Sequence, residues 1–338
     1  RAVEQQGVSL EKWQIAIYRG ILTGYNEAFY ISTAQREAFI VEDPRCAELI
    51  VPLLRGRNVD RYVTQWEAAE DEQWMINSHN GIKELGIPPV KLETEYPVLW
   101  NHIVAHEKKL VVRLDKGDHW SNLRNCAYIR DFQKPKIVYP NMTKYLPFYL
   151  DTTEHFFIND KAFILTAETE SLAYLTAALN STVFRCCFMD NYPNLGEDRR
   201  ELRKIFMDKI PIKKPTAQQA ALFEALVPMV QATKAESQKS DNSELRSVAV
   251  FLEEVIDACV MEVYFSDHMA EHRLGIMAHV TPLLQDFDAA APPAQQVATA
   301  QQFYAQANDS KHPIRNILIR IPVDSPDLLA VIQREGAV

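Results

Sequence analysis

The chain has 338 residues, of which 47% are hydrophobic and 24% are charged, and this composition is typical of a soluble globular protein. No apolar run is long enough to form a membrane helix. The net charge of −9 argues at first against a protein that binds nucleic acid.

The first half of the chain is predicted to form short strands. In residues 13–19, Trp13, Ile15 and Ile17 recur with a two-residue period, which indicates a strand, and residues 28–32 are predicted to be the returning strand. Further short runs rich in β-branched or aromatic residues are separated by turn residues, as in a mostly antiparallel sheet. They are 135–142, 147–151, 156–160 and 162–167.

Helices are predicted over residues 96–117 and 170–190, and a basic helix over residues 198–207. Beyond Pro215 the composition changes, and apolar residues recur at three- and four-residue spacing. We therefore expect an α/β domain over residues 1–215, mixed and α+β-like with short antiparallel sheets, followed by a mainly α-helical domain over residues 216–338.

The charge is distributed unevenly along the chain. Residues 1–215 contain 28 basic and 29 acidic side chains, whereas residues 216–338 contain 8 basic and 16 acidic ones. Within the first part, residues 101–150 contain 9 basic and 4 acidic side chains, and residues 199–214 contain 7 and 2. DNA binding requires basic groups on one face rather than a basic total, so these clusters keep a DNA-binding function open.

The clearest candidate site is the predicted basic helix and the Pro-Asn-Leu-Gly loop before it. On a helix, Arg199 would align with Arg203, and Arg200 with Lys204, while Asn194 lies in the loop. A loop that leads into a helix N-terminus suits a phosphate, and arginine can also donate two hydrogen bonds to guanine. The alternative is that these arginines pair with neighbouring carboxylates, which are Glu197, Asp198 and Glu201.

Two further groups of residues are candidates for DNA contact. Arg55 and Arg57 flank a glycine, which would let both guanidiniums approach an anionic surface. Trp120 could stack on DNA or anchor the core, and it stands near further basic residues. The candidates of this third group are Trp120, Arg124, Lys136 and Lys144.

No residues are predicted to be catalytic or to bind a metal. The histidine pairs His102–His106 and His268–His272 have no obvious third ligand, and no P-loop, G-x-S-x-G or G-x-G-x-x-G motif occurs. The cysteine count is five, without a C-x-x-C pair, which predicts reduced thiols and a cytoplasmic protein. Because the chain starts at Arg1 and enters a strand at once, we expect a piece of a longer polypeptide.

Several segments, in order over about residues 10–215, resemble the TaqI-like specificity (target-recognition) domain. That domain is typical of type IIG restriction-modification enzymes and related adenine-specific DNA methyltransferases. The helical segment after it resembles the region that often follows this domain. The matching segments are RGILTGYNEAFYI (19–31), LLRGRNVDRY (53–62), YP…H…KL (96–110), W…LR (120–124), KPKIVYP (134–140), FYLD (148–151), FFIND (156–160), LTAALNSTVF (175–184), NLG (194–196) and KIPI (209–212).

The resemblance implies that this chain is the sequence-reading part of a larger enzyme. In such enzymes an upstream methyltransferase domain binds S-adenosylmethionine and flips the target adenine into an Asn/Asp-Pro-Pro-Tyr pocket, and Mg²⁺ is needed where a nuclease is fused. This chain lacks that motif, so we expect no cofactor in it and no activity of its own. The matching motifs contain Arg55, Arg57, Trp120, Arg124 and the run Arg199–Lys204.

We therefore expect double-stranded DNA and an upstream methyltransferase domain of the same polypeptide as partners, and no membrane. The alternative is a protein–protein interaction scaffold within a phage-defence complex, in which the basic clusters contact acidic partners.

Overall fold

A computed structural model describes residues 5–67, 73–185 and 199–333 of the chain. The strands in these ranges are short and lie between Val8 and Ile212. They are β1 (Val8–Ser9), β2 (Ile15–Arg19), β3 (Tyr30–Ile31), β4 (Ile50–Leu54), β5 (Val59–Asp60), β6 (Val63–Thr64), β7 (Trp74–Ile76), β8 (Lys136–Pro140), β9 (Met142–Thr143), β10 (Tyr149–Asp151), β11 (Phe157–Ile158), β12 (Ala162–Ala167), β13 (Arg200–Glu201) and β14 (Pro211–Ile212).

α-Helices lie between these strands and after the last of them. They are α1 (Asn26–Phe29), α2 (Thr33–Glu42), α3 (Leu92–Glu95), α4 (Pro97–Val104), α5 (Glu107–Val112), α6 (Leu172–Asn180), α7 (Lys204–Met207), α8 (Ala217–Ser240), α9 (Ser243–Tyr264), α10 (Ser266–Glu271), α11 (Met277–Val280), α12 (Pro293–Ala307), α13 (Pro313–Asp324) and α14 (Pro326–Gln333).

Two four-stranded sheets form the centre of the first part. The central sheet has the order β10-β8-β12-β2, and all its pairs are antiparallel. The second sheet has the order β11-β4-β7-β3, in which only the β11–β4 pair is parallel. Smaller two-stranded pairs join β1 to β14, β5 to β6 and β9 to β13.

The central sheet is buried on both faces because its side chains alternate between two cores. Ile137 and Leu165 pack with the C-terminal helices, and their neighbours Val138 and Ile164 pack with the second sheet. This two-residue alternation follows from the pleat of a strand. The central sheet is therefore the middle layer between the helices and the second sheet.

Helices α8 and α9 form an antiparallel pair with well-defined ends. Thr216 and Gln219 make a capping box at the start of α8. Asp241 ends this helix with a left-handed backbone (φ 49°), and the Asn242 side chain then accepts hydrogen bonds from the first turn of α9. Short polar side chains thus fix the reversal between the two long helices.

Polar contacts join the helical part to the strands across the predicted boundary at residue 215. The Thr182 hydroxyl donates to Asp257 (2.7 Å), and Arg61 lies 3.2 Å from Glu253. The Gln231 amide donates to the Leu150 carbonyl (2.9 Å). The two parts share one hydrophobic core, and their division into domains stays a prediction.

The predicted fold class is confirmed, because short and mostly antiparallel sheets precede a helical region. The helix expected over residues 96–117 is divided into α4 and α5, which are separated at Ala105–His106, and it ends at Val112. The expected basic helix over residues 198–207 is wrong: its described residues form β13 and the one-turn helix α7.

Candidate nucleic-acid interface

Several strand ends meet at one edge of the two sheets. Arg19 at the end of β2 pairs with Phe163 near the start of β12, and Pro140 at the end of β8 pairs with Ala162. In the second sheet, β4 and β11 run parallel and end side by side. A bridge between Ile21 and Asn159 joins the two sheets at this point. The loops that follow these strands therefore leave the fold together.

A two-stranded ribbon extends from this edge. Thr143 of β9 pairs with Arg200 of β13, and Met142 pairs with Glu201. The ribbon is tied to the sheet through Asn141, whose N–H donates to the Lys161 carbonyl and whose carbonyl accepts from the Leu202 N–H, both at 2.8 Å. We call residues 141–145 and 199–203 the ribbon.

The alternation of buried side chains explains why residues 199–203 form a strand. Arg200 and Leu202 are buried, whereas Arg199 and Arg203 are exposed. This is the two-residue period of a strand with one covered face. A helix would place Arg199 and Leu202 on the same face and would bury a guanidinium beside a core leucine.

The turn that carries Arg55 and Arg57 packs against the same edge. The Gly56 N–H donates to Asn159 Oδ1 (3.2 Å), and a Cβ at Gly56 would lie only 2.5 Å from the Lys161 carbonyl oxygen. Only glycine allows this approach. Arg57 is exposed, and the half-buried Arg55 lies over the Tyr30 ring, with 5.6 Å from its guanidinium carbon to the ring centroid.

The edge thus gathers basic side chains from five separate segments of the chain. We call this set the basic edge. Its members are Arg19, Arg55, Arg57, Lys144, Lys161, Arg199, Arg203 and Lys204.

Carboxylates of the edge hold several of these cations without covering them. Asp160 lies 3.4 Å from Arg19 and 3.1 Å from Lys161. At the ribbon, Arg203 lies 2.6 Å from Glu201, and 54% of the Arg203 side chain remains exposed. Lys204 pairs with Asp208 one turn along the chain (2.7 Å). Exposed pairs of this kind contribute little to stability, so the cations remain accessible to an anionic ligand.

The prediction that Lys136 contacts DNA is wrong. Its side chain is fully buried at the start of β8, the end opposite to the ribbon. The ammonium donates to Asp151 and to the Phe132 carbonyl, both at 2.7 Å. Burial lowers the pKa of Lys136, and the neighbouring Asp151 charge opposes this shift. The lysine is a core residue held by its ion pair.

Trp120 and Arg124 lie on a separate loop after α5. The Trp120 ring packs against Trp100, with 5.2 Å between the ring centroids, and its carbonyl accepts from the buried Arg113. Arg124 is exposed and pairs with Asp115 (3.2 Å). This geometry favours a packing role for Trp120.

Arg124 nevertheless lies within electrostatic reach of the basic edge. Burial raises the pKa of Tyr128 to about 12, while the charges of Arg124 and Arg19 both act to lower it. The Tyr128 ring also stacks on Tyr18, the neighbour of Arg19, with 4.4 Å between the ring centroids.

The remaining predicted DNA-contact residues are Arg200 and Asn194. The Arg200 side chain is buried, and its Nε and Nη1 atoms have no hydrogen-bond partner among the described residues. Asn194 lies outside the described residues. Of the predicted residues, the structure brings together Arg55, Arg57, Lys144, Arg199, Arg203 and Lys204 at one edge.

Sequence reasoning missed Arg19, Lys161 and the supporting Asn159. The available signal was the Asn-Asp-Lys turn directly after the apolar pair of β11, since polar residues at strand ends often carry binding groups. Arg19 gave no such signal, because only the pairing of β2 with β12 brings it to this edge.

The described ranges contain neither a candidate metal site nor a candidate membrane helix. No group of three or more His, Cys, Asp or Glu side chains is placed there to hold a metal ion. No helix in those ranges has both the length and the apolar character needed to span a bilayer. His102 has its Nε2 3.1 Å from the Ala28 carbonyl oxygen, and burial lowers its pKa.

Comparison with known proteins identifies part of the chain. Residues 51–212 match the family described as the TaqI-like C-terminal specificity domain. A search of curated protein sequences finds no match.

A search of solved structures returns two restriction-modification proteins, of which the first is similar in fold. The type IIL restriction-modification enzyme MmeI in complex with DNA has 12% sequence identity and a TM-score of 0.51, covering 88% of this chain and 36% of that chain. The type IIG restriction endonuclease BpuSI has 10% identity and a TM-score of 0.42, covering 77% of this chain and 32% of that one. The chain thus spans about a third of the length of either protein.

Proposed function

Residues 51–212 form a TaqI-like C-terminal specificity domain, and on this premise we propose that the chain recognises a specific sequence in double-stranded DNA through its basic edge. The observation that carries the proposal is the meeting of eight basic side chains from five segments at one edge of a molecule whose net charge is −9. Such local crowding of cations is the electrostatic footprint of a duplex-binding surface.

The shape of the ribbon supports this function. A two-stranded ribbon fits the major groove, where each base pair presents a distinct pattern of donors and acceptors. The ribbon and the turn after it carry exposed apolar side chains, with Met142 50%, Tyr145 75% and Ile205 57% exposed. Apolar side chains contact the thymine methyl group in the major groove, so their exposure beside arginines fits base recognition.

The charged side chains at the ribbon fall into two groups. One group would bind phosphates and position the DNA, and the other would recognise bases. Lys144 and Lys204 are flexible point charges suited to phosphates. Arg203 is exposed on the outward face and Glu201 beside it is 17% exposed; arginine can donate to guanine, and a carboxylate can accept from the cytosine amino group. We assign the phosphates to the lysines and one G·C pair to Arg203 and Glu201.

The parent enzyme is proposed to be a type IIG-like restriction-modification enzyme or an N6-adenine DNA methyltransferase that serves in phage defence. An upstream methyltransferase domain of the same polypeptide would bind S-adenosylmethionine and modify the adenine that this chain positions. A fused nuclease would require Mg²⁺. The MmeI complex supports the DNA partner, since it is a restriction-modification enzyme bound to DNA with a similar fold.

A reducing, cytoplasmic location is part of the same proposal. Cys46, Cys126 and Cys259 are free thiols, and Cys46 and Cys259 are buried. Free buried cysteines are typical of proteins in reducing compartments.

The experiment is a salt titration of duplex binding by the 338-residue chain. The logarithm of affinity should fall with the logarithm of salt concentration by about 0.9 for each phosphate neutralised. The variant Lys144→Ala/Arg203→Ala/Lys204→Ala should bind more weakly and should lose about two units of this slope, because Lys144 and Lys204 are assigned to phosphates whereas Arg203 is assigned to a base. An unchanged affinity and slope would overturn the proposal.

A matched control removes three cations elsewhere. Lys83, Lys91 and Lys311 are exposed and lie away from the ribbon in the chain. The triple alanine variant at these positions should keep the affinity and the slope of the unchanged chain. An equal loss in both variants would indicate general charge attraction rather than a defined interface.

A further inference from the structure

Helix α9 carries an unusual row of exposed side chains. Arg246, Val250 and Glu254 follow one another at four-residue spacing, so they lie along one ridge of the helix. All three are exposed to solvent. The accessible fraction is 56% for the Arg246 side chain and 56% for Val250, and Glu254 is exposed as well. The rest of α9 supplies much of the buried core, so this row is its outward face.

A groove with both apolar and charged lining residues runs beside this row. It lies between α9, α12 and α13, and Phe251 with Tyr304 forms part of its wall. Leu318 and Ile319 of α13 line the other side, and 56% of Ile319 is exposed. Exposed apolar side chains grouped beside a groove indicate a surface that contacts another macromolecule.

The charges of the row lack strong partners. Within the described residues, Glu254 makes neither a hydrogen bond nor an ion pair. In the described ranges Arg246 forms an ion pair with Asp241, whose side chain is 90% exposed. Both groups can therefore form an intermolecular ion pair without giving up a buried interaction.

The arrangement is self-complementary. Arg246 and Glu254 stand four residues before and after Val250, so each lies about 6 Å along the helix axis from this valine. When two such helices cross antiparallel with Val250 at the crossing point, Arg246 of one protomer faces Glu254 of its partner, and the reverse pair forms as well. A two-fold axis requires this pairing of one patch with itself.

We propose that two copies of this chain form a symmetric dimer through the Arg246–Val250–Glu254 row of α9 and the groove beside it. Duplex DNA does not suit this surface, because residues 216–338 contain 16 acidic and 8 basic side chains. The dimer does not depend on the proposed DNA function. It would carry two basic edges on one particle and could hold two DNA sites at once.

A charge exchange tests the dimer, with the 338-residue chain followed by sedimentation equilibrium over a range of protein concentrations. The unchanged chain should show a reversible monomer–dimer equilibrium. Glu254→Arg and Arg246→Glu should each raise the dissociation constant about tenfold or more, because each creates two like-charge contacts across the axis. The double variant restores both opposite-charge pairs and should return to within about threefold of the unchanged chain.

Glu236→Arg provides the control, since Glu236 is exposed on α8 and the same charge change there should leave the dissociation constant unaltered. Thermal unfolding of each variant checks that the fold is kept, as expected for exposed positions. A chain that stays monomeric at all concentrations overturns the proposal. A double variant that dissociates as readily as the single variants overturns it too.

Discussion

The Arg203 guanidinium lies 2.6 Å from the Glu201 carboxylate on the outward face of the β9–β13 ribbon. The two residues are two positions apart on an extended chain, so their side chains project to the same side. The guanidinium also lies over the Phe206 ring, with 5.8 Å from its carbon to the ring centroid, and 54% of the Arg203 side chain remains exposed. The pair is therefore suited to meet a base edge as a unit.

Replacing Arg203 with alanine should relax base preference at one position of the recognised site. Loss of a two-hydrogen-bond contact to guanine costs about 1–3 kcal/mol of discrimination. The measurement is selection of bound duplexes from a randomised pool, followed by sequencing. We expect the unchanged chain to require G·C at that position and the variant to accept other pairs.

Lys144→Ala is the matched comparison for this selection. A lysine that contacts phosphate should weaken binding to all sequences alike and leave the selected sequence unchanged. If Arg203→Ala also weakens all duplexes equally, with no change of preference, Arg203 contacts phosphate and the reading role assigned here is wrong.

Replacing Lys136 with methionine should destabilise the fold and leave DNA contact intact. Removing one partner of a buried ion pair costs about 3–5 kcal/mol. The backbone N–H groups of Glu154, His155 and Phe156 also donate to Asp151 and will offset part of this cost. Urea unfolding measures the loss, and the folded fraction should bind DNA with unchanged affinity.

Lys134→Met is the control, because Lys134 pairs with Asp131 at the surface with 56% of its side chain exposed. Its effect on the free energy of unfolding should stay within about 0.5 kcal/mol. Equal effects of the two substitutions would mean that the buried pair does not hold the start of β8.

The different burial of these two lysines could not be predicted from the sequence. Lys134 and Lys136 stand two positions apart in a basic segment, and nothing local separates them. Lys136 becomes a core residue only because β8 pairs with β10 and brings Asp151 beside it. By contrast, the strands within residues 135–142 and 162–167 could be predicted, because runs of β-branched and aromatic residues bounded by turn residues are a local signal.

Gly56→Ala should weaken both folding and DNA binding. The new methyl group would meet the Lys161 carbonyl at 2.5 Å and push the Arg55–Arg57 turn away from the edge. Crowding of this kind costs about 1–3 kcal/mol.

Gly275→Ala is the control, since a Cβ there would meet only Glu262 at an ordinary 3.4 Å. Unfolding and duplex-binding titrations of both variants check this, and a Gly56→Ala chain that matches the control would contradict the close packing.

Stability should fall as the pH is lowered below about 6.5, the ordinary pKa of histidine. Burial lowers the pKa of His79 and of His102. Below pH 6.5 the unfolded chain takes up protons that the folded chain does not, so acid favours unfolding until the lowered pKa values are passed. Urea unfolding between pH 7.5 and 5 should show this slope, and His79→Gln/His102→Gln should reduce it. An unchanged slope in this variant would mean that groups other than His79 and His102 cause the pH dependence.

The basic edge shows how much of the site depends on topology. Arg55, Arg57 and the run Arg199–Lys204 could be selected from the sequence because basic residues are clustered there. The ribbon could not, since β13 pairs with β9, more than fifty residues earlier in the chain. Arg19 and Lys161 could not either, because strand pairing alone brings them together at Asp160.

Hydrogen–deuterium exchange with and without duplex DNA tests the central claim most directly. DNA at the basic edge should slow amide exchange in residues 55–58, 141–145, 159–161 and 199–204, and should leave the outward face of α9 unchanged. Exchange that slows at other surfaces while these four segments stay as fast as in the free chain would contradict the interface.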